Sequence, residues 1–337
     1  MPDLTPYTRH QLDVALELIA SAIYTPVAPL TIAAWSTREP VPYAQRQSGE
    51  PLQPAIGETW GTLFDCAWFR FTGTVPPAAA GQTVVLLLDV NGEMCVFDAA
   101  GEPVRGLTNL SSTYDFSLGR PGKRVLPFAS PAAGGEPVEV WADVGANDLF
   151  GNLQDNGAIR EATIAVCNEA VRDLYYDFEV LLDALKVLPP ASARHDQILV
   201  ALNDAVHAFW NGFTPESVAA ARAALAGVLS KQGGDPSLSV SAIGQAHMDL
   251  GWLWPIRETK RKGARTFSTA LANMERYDNY VFAASQAQYF QWMKEEYPGL
   301  YERIRAGVAA GRIEPQGALW VECDTNVTGG ESLVRQI

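Results

Sequence analysis

The stretch LSVSAIGQAHMDLGW, residues 238–252, decides the fold of the C-terminal part of the chain. Its first nine residues have the composition of a buried strand, and apolar residues then recur at helical spacing over 255–277. Two further strands are predicted at 280–285 and 313–321, with helical sequence between them. A β-α-β-α-β order predicts a parallel sheet with right-handed crossovers.

Polar side chains follow each of these three predicted strands. The first strand ends at His247-Met248-Asp249, the second at Ser285-Gln286, and the third at the segment 320–324, WVECD. Ligands of parallel α/β sheets bind outside the carboxyl ends of the strands. The sequence therefore predicts a binding site where these three strand ends meet.

His247 and Asp249 are candidate metal ligands. They are one residue apart, so on an extended backbone both side chains point the same way. An imidazole nitrogen and a carboxylate suit Zn²⁺ or another first-row divalent ion, with bonds of about 2.0–2.2 Å. Zinc usually takes three or four protein donors, so this pair does not complete a site. Glu322 and Asp324, at the end of the third predicted strand, are candidates for contacts with the metal or with the substrate, and loop capping or ion pairing is the alternative.

The helix predicted after the metal motif is rich in basic residues. Arg257, Lys260, Arg261 and Arg265 all lie on it. The pattern favours a charged surface that faces solvent or another subunit.

The N-terminal half has a different pattern. Short β-type runs separated by turn signals such as Asn91-Gly92 predict an antiparallel β-sandwich, jelly-roll-like in form. Its tryptophans, Trp35, Trp60, Trp68 and Trp141, favour core positions over sugar stacking. Four units are predicted, namely an N-terminal helical segment at 1–29, the sandwich at 30–168, a helical connector of three helices at 169–233, and the first part of a truncated α/β domain at 234–337.

The composition of the chain limits the classes of partner that it is expected to bind. The chain has 38 acidic and 25 basic residues, and its net charge of −13 disfavours nucleic acid and anionic membranes. No stretch approaches the roughly 20 apolar residues of a membrane span, and the N-terminus has no basic start before an apolar run. The four cysteines are far apart, as expected for free thiols in a reducing compartment. We expect a cytoplasmic protein, and a homo-oligomer is left open.

Five segments resemble one family of enzymes. They are GQAHMDLGWLWP at 244–255, RETKRK at 257–262, FAASQAQ at 282–288, WVECDTN at 320–326 and ESLVRQ at 331–336. Together they resemble the opening of the catalytic domain of glycoside hydrolase family 38 α-mannosidases, in its cytosolic and bacterial branch. The resemblance covers about 238 to 337 and extends more loosely to the β-rich domain.

The resemblance implies a barrel-like catalytic domain and a retaining exo-α-mannosidase that acts on terminal α-mannosides of oligosaccharides. Its metal, usually zinc and sometimes cobalt, is held by two histidines and two aspartates. His247 and Asp249 match the first histidine and aspartate, and Trp252 matches the aromatic residue beside the bound mannose. The nucleophile and the second histidine are expected beyond Ile337. No catalytic residue is therefore assigned here, and this chain alone is expected to be inactive.

Two other functions remain open at this point. Related α/β barrels with His and Asp at strand ends include metal-dependent carbohydrate deacetylases, which would release acetate rather than mannose. A non-catalytic role as a sugar-binding or assembly module would depend on the β-rich domain and the helical connector.

Overall fold

The computed structural model describes residues 5–108, 123–147, 156–190, 192–231, 239–317 and 319–337. The helices of these residues are α1 Thr5–Ser21, α2 Glu169–Val187, α3 Ala193–Phe209, α4 Pro215–Leu229, α5 Ile256–Arg276, α6 Ala287–Glu296, α7 Pro298–Ala309 and α8 Gly330–Val334. The first strands are β1 Tyr24–Pro29, β2 Thr31–Thr37, β3 Glu50–Leu52, β4 Thr59–Thr62, β5 Cys66–Thr74, β6 Val84–Asp89, β7 Glu93–Phe97 and β8 Pro103–Leu107. The later ones are β9 Val125–Ala129, β10 Pro137–Gly145, β11 Asn156–Ala158, β12 Glu161–Cys167, β13 Gly244–Gln245, β14 Phe282–Ala284 and β15 Ile313–Pro315.

Two antiparallel sheets form the N-terminal sandwich. One has the order β1-β12-β6-β9 and the other β3-β2-β5-β10-β7-β8. Strand β6 is apolar from residue 84 to residue 88 because both of its faces are covered. Leu86 and Leu88 point into the sandwich, whereas Val85 and Leu87 point to a layer of helices. The predicted β-sandwich is confirmed.

The helical layer consists of α1, α2, α3 and α4. Apolar residues of all four helices share a core with the outer face of the four-stranded sheet, among them Leu12, Phe178, Leu202 and Leu225. The three helices predicted between 169 and 233 are present, but they pack on the sandwich as a layer, whereas the sequence suggested a connector. The predicted break at 233–236 lies outside the described residues.

Strand β1 differs from the prediction. We expected a helical segment over 1–29, whereas the helix ends at Ser21 and 24–29 pairs with β12. This strand contains Pro26 and Pro29. Because β1 is an edge strand, two residues without an N–H donor are tolerated there. The sandwich therefore begins before residue 30.

The C-terminal part is a parallel sheet in the order β13-β14-β15, as predicted. Its strands are shorter than predicted. The first has only two residues, since Val240 and Ile243 are exposed and unpaired and Leu238 lies outside the described residues. The third ends at Pro315, just before Gly317, whose positive φ of 113° turns the chain. Among the described helices, none is both long and apolar enough to cross a membrane.

Helix α5 joins the two halves. The Gly106 N–H of β8 donates to the Thr269 hydroxyl of α5 at 2.9 Å. A Cβ at position 106 would lie 3.0 Å from the Arg265 carbonyl oxygen, so a glycine allows this close approach of strand and helix. The Arg303 guanidinium of α7 donates to the Pro103 carbonyl at 3.2 Å. Strand β8 is thus the contact edge of the sandwich.

Candidate metal and substrate site

His247, Asp249 and Glu322 lie together just beyond the carboxyl ends of the parallel strands. His247 Nε2 is 3.2 Å from Asp249 Oδ1, and His247 Nδ1 is 3.5 Å from Glu322 Oε2. The three side chains are 62%, 38% and 48% exposed. Strand ends that are about 70 residues apart in sequence therefore bring one imidazole and two carboxylates to the same accessible point.

Two backbone carbonyls under this cluster accept hydrogen bonds from buried side chains. The Met248 carbonyl accepts from Gln286 Nε2 at 2.7 Å and from the Tyr289 hydroxyl at 3.3 Å. The same hydroxyl lies 3.2 Å from the Asp249 carbonyl. The Ser285 hydroxyl donates to Glu322 Oε1 at 2.7 Å, which orients that carboxylate. Sequence reasoning noted the position of Ser285-Gln286 at a strand end but gave these residues no role.

Trp252 presents an exposed ring beside the cluster. Its side chain is 54% exposed, and it meets the buried Trp254 edge to face with ring centroids 5.4 Å apart. Trp254 Nε1 donates to the Thr259 hydroxyl at 3.0 Å, and that hydroxyl donates to the Leu250 carbonyl at 2.7 Å. The loop that carries Trp252 is thereby fixed to the first turn of α5.

Asp324 has a local role in the structure. Its Oδ1 accepts the backbone N–H of Asn326 at 2.7 Å, the loop-capping arrangement considered as the alternative. Within the described residues no contact joins Asp324 to His247 or Asp249. The predicted substrate contact of Asp324 stays a prediction.

His247 and Asp249 supply only part of the donor set that a metal ion needs. In the part of the chain that the structure describes, no group of three or more His, Cys, Asp or Glu residues is arranged to hold a metal. His247 and Asp249 supply one nitrogen and one carboxylate, both accessible and adjacent. This pair fits half of the four-donor set that zinc commonly takes.

A cleft of about 650 Å³ is lined by residues of both the sandwich and the α/β domain. His247, Asp249 and Trp252 line it from the α/β domain, and Gly106 and Leu107 line it from β8. The sandwich therefore contributes to a cavity that opens onto the strand-end residues. Clefts of this size at domain junctions are common ligand sites.

The prediction of a solvated basic face on α5 was wrong for Arg261 and Arg265. Arg261 forms a two-bond pair with Asp143 of β10, with both distances 2.7 Å, and the two side chains are only 3% and 7% exposed. Arg261 Nη1 also donates to Glu258 Oε2 at 3.0 Å. Arg265 pairs with Glu258 and lies 3.5 Å from Glu93 of β7.

These five residues, Glu93, Asp143, Glu258, Arg261 and Arg265, are called the junction cluster below. Burial opposes ionisation of the Glu258 carboxyl, but the charges of Arg265 and Arg261 outweigh it and hold its pKa below the ordinary value. Burial likewise opposes the charge of Arg261, yet Asp143 and Glu258 raise its pKa above the ordinary value. The junction of sandwich and α/β domain is thus held by buried charges. Arg257 and Lys260 remain partly exposed and pair with Glu39 and Glu296.

Two family matches cover most of the chain. Residues 237–337 match the glycosyl hydrolases family 38 N-terminal domain, and residues 28–170 match the jelly roll domain of alpha-mannosidase. The C-terminal part of the chain is thus similar to the N-terminal domain of that family. The parallel strands, His247, Asp249 and Trp252 lie in the first match, whereas Gly106 and Leu107 lie in the second.

Several proteins that are similar to this chain are named alpha-mannosidases. Alpha-mannosidase 2C1 of Mus musculus is 33% identical over 319 residues, which are 91% of this chain and 30% of that protein. Alpha-mannosidase 2C1 of Homo sapiens is 34% identical over 92% of this chain and 30% of its own length. Alpha-mannosidase of Saccharomyces cerevisiae is 29% identical, at 83% and 27%. This chain spans about 30% of the length of these relatives.

Proposed function

We propose that the protein hydrolyses terminal α-mannosides of oligosaccharides as a retaining, metal-dependent exo-α-mannosidase. The observation that carries the proposal is the convergence of His247, Asp249 and Glu322 at one edge of a family 38 sheet, beside the exposed ring of Trp252. The names of the relatives support the substrate class. Acidic composition suits a neutral sugar and disfavours polyanions.

The residues of this chain have separate roles in the proposal. His247 and Asp249 hold a divalent ion, zinc first and cobalt as the alternative, together with donors not assigned here. When bound, the ion supplies a Lewis-acidic contact to sugar hydroxyls. Trp252 packs against the apolar face of the mannose ring, and Glu322 accepts a hydrogen bond from a sugar hydroxyl. Retaining hydrolysis also needs two carboxyl groups about 5–5.5 Å apart, and neither is assigned to this chain.

A cytoplasmic location is part of the same proposal. All four cysteines are free thiols, and Cys66, Cys95 and Cys167 are buried. Burial raises the pKa of each of these three thiols, that of Cys95 to about 12. Buried, protonated thiols suit a reducing compartment.

The test uses the complete gene product and an aryl α-mannoside. We expect activity to disappear after chelation and to return with zinc or cobalt. The variant His247→Ala should weaken metal binding and lose activity, whereas His207→Ala, on an exposed position of α3, should match the unaltered enzyme. Hydrolysis that persists without metal, or equal behaviour of the two variants, would refute the proposal.

The two alternatives have less support. Three of the four sandwich tryptophans considered for sugar stacking are core residues, since Trp60, Trp68 and Trp141 are 4%, 2% and 8% exposed. The fourth, Trp35, is half-buried and stacks on Trp141 with ring centroids 5.3 Å apart. The family matches do not favour a deacetylase. Release of acetate without mannose in the same assay would favour the deacetylase over the mannosidase.

A further inference from the structure

Gln286 has an unusual backbone conformation at the centre of the strand-end cluster. Its φ is 68°, in a region that favours glycine, yet it lies two residues after the end of β14 and is only 3% exposed. Such a conformation is unfavourable for a residue with a Cβ and persists where the surroundings require it. The position thus calls for an explanation from its contacts.

The side chain of Gln286 supplies that explanation. Its Nε2 donates to the Met248 carbonyl at 2.7 Å, and its Oε1 accepts the Glu322 N–H at 3.2 Å. The carboxamide therefore bridges the loop after β13 and the segment after β15, on either side of its own strand. One neutral planar group performs both tasks because it has a donor and an acceptor.

Tyr289 strengthens one side of this bridge. It lies one turn further on in α6, is fully buried, and its hydroxyl lies within 3.3 Å of the Met248 and Asp249 carbonyls. By contrast, the side chains of His247 and Asp249 are 62% and 38% exposed. Their directions consequently depend on the backbone of 247–249, which Gln286 and Tyr289 fix.

We propose that Gln286 is a positioning residue that sets the mutual placement of His247, Asp249 and Glu322. The inference rests on the proposed function, because its consequence is the geometry of the metal pair. Outer residues that orient ligands commonly change metal affinity by about 10- to 100-fold when they are replaced. Gln286 itself touches neither metal nor substrate in this scheme.

The experiment compares Gln286→Met with Gln288→Met in the complete gene product. Methionine has a similar volume and cannot form the bridge. Gln288 is a matched control, since it lies two residues away on α6 and its Oε1 accepts only from the Trp320 indole at 3.0 Å among the described contacts. Zinc affinity is measured by competition with a chromogenic chelator, and kcat and KM are measured at saturating zinc.

We expect Gln286→Met to lower zinc affinity by about 10- to 100-fold and Gln288→Met by less than about threefold. The Gln286 variant should also raise KM at saturating zinc, because Glu322 moves relative to the metal pair. Equal zinc affinities and equal KM values for the two variants would overturn the inference while leaving the proposed function intact. An unaltered protein that neither binds zinc nor cleaves the mannoside would refute both.

A second variant covers the case in which Gln286→Met fails to fold. Gln286→Gly relieves the backbone conformation and still removes the carboxamide. A melting temperature near that of the unaltered protein, with lowered zinc affinity, would support positioning. Retained zinc affinity in this variant would contradict it.

Discussion

Replacing Arg261 by methionine tests the junction cluster directly. The change removes two bonds of 2.7 Å to Asp143 and one of 3.0 Å to Glu258, and it leaves two carboxylates whose side chains are at most 7% exposed. Breaking a buried ion pair from one side costs about 3–5 kcal/mol. We expect equilibrium urea unfolding to show a loss of this size with an unchanged m value.

Arg305→Met is the matched control. Arg305 and Glu302 form a pair with the same i, i+3 spacing on α7 as Arg261 and Glu258 on α5, at 2.8 Å, but their side chains are 61% and 63% exposed. An exposed pair contributes about 0–1 kcal/mol. Equal losses for Arg261→Met and Arg305→Met would refute the view that buried charges hold the junction.

A double variant separates charge from packing. Asp143→Leu with Arg261→Met removes both members of the pair, so no unpaired carboxylate remains at position 143. The double variant should be more stable than Arg261→Met alone, since an apolar replacement of both partners is often close to neutral. A double variant less stable than the single one would indicate that packing, and not the unpaired charge, dominates.

Four further outcomes follow from the described contacts. Gly145→Ala should destabilise the protein by about 1–3 kcal/mol in urea unfolding, because its Cβ would lie 2.8 Å from Arg261 Nη1. Trp252→Ala should raise KM for an aryl α-mannoside about fivefold with an unchanged melting temperature, since an exposed aromatic contact contributes on the order of 1 kcal/mol. A thiol reagent should modify Cys323 in the native protein and the other three cysteines only after unfolding. The pKa of Glu258 is lowered by folding from 4.5, so its contribution to stability is present above pH 4.5 and is lost as the pH falls below it; Glu258→Gln should flatten this acid dependence in urea titrations.

Each of these four predictions would be contradicted by a specific result. An unchanged urea midpoint for the glycine variant would mean that the strand end can move away from the arginine. A KM equal to that of the unaltered enzyme would remove the tryptophan from the substrate site. Native modification of a second thiol would show that the core opens. A Glu258→Gln protein with the same acid dependence as the unaltered one would assign that dependence to other carboxyls.

The sequence predicted those features that can be recognised within a single segment or from a general rule on folds. Strand β6 could be recognised from its continuous apolar run, and the convergence of His247 and Glu322 follows from the general rule on parallel strand ends. Strand β1 was missed because its two prolines are acceptable only on an edge, and the edge is defined by the pairing of the whole sheet.

The junction cluster was missed for a related reason. Arg261 and its partner Asp143 are 118 residues apart, so no periodicity in the sequence connects them. A helix with many charges is usually exposed, and burial is tolerable here because carboxylates of β7 and β10 and Glu258 of α5 itself pair with the two arginines. The role of Gln286 could not be predicted either. Its side chain bonds the backbones of Met248 and Glu322, and backbone groups carry no sequence signal.

The close approach at Gly106 also bears on domain exchange. A chimaera that joins this jelly roll to the family 38 domain of another relative would need a small residue on the strand and a hydroxyl on the helix at the positions of Gly106 and Thr269. Without the first, the two backbones are held apart, and without the second, a backbone donor loses its partner. The two domains should therefore be transferred together, because their compatibility depends on this edge strand as well as on the buried charges of the junction cluster.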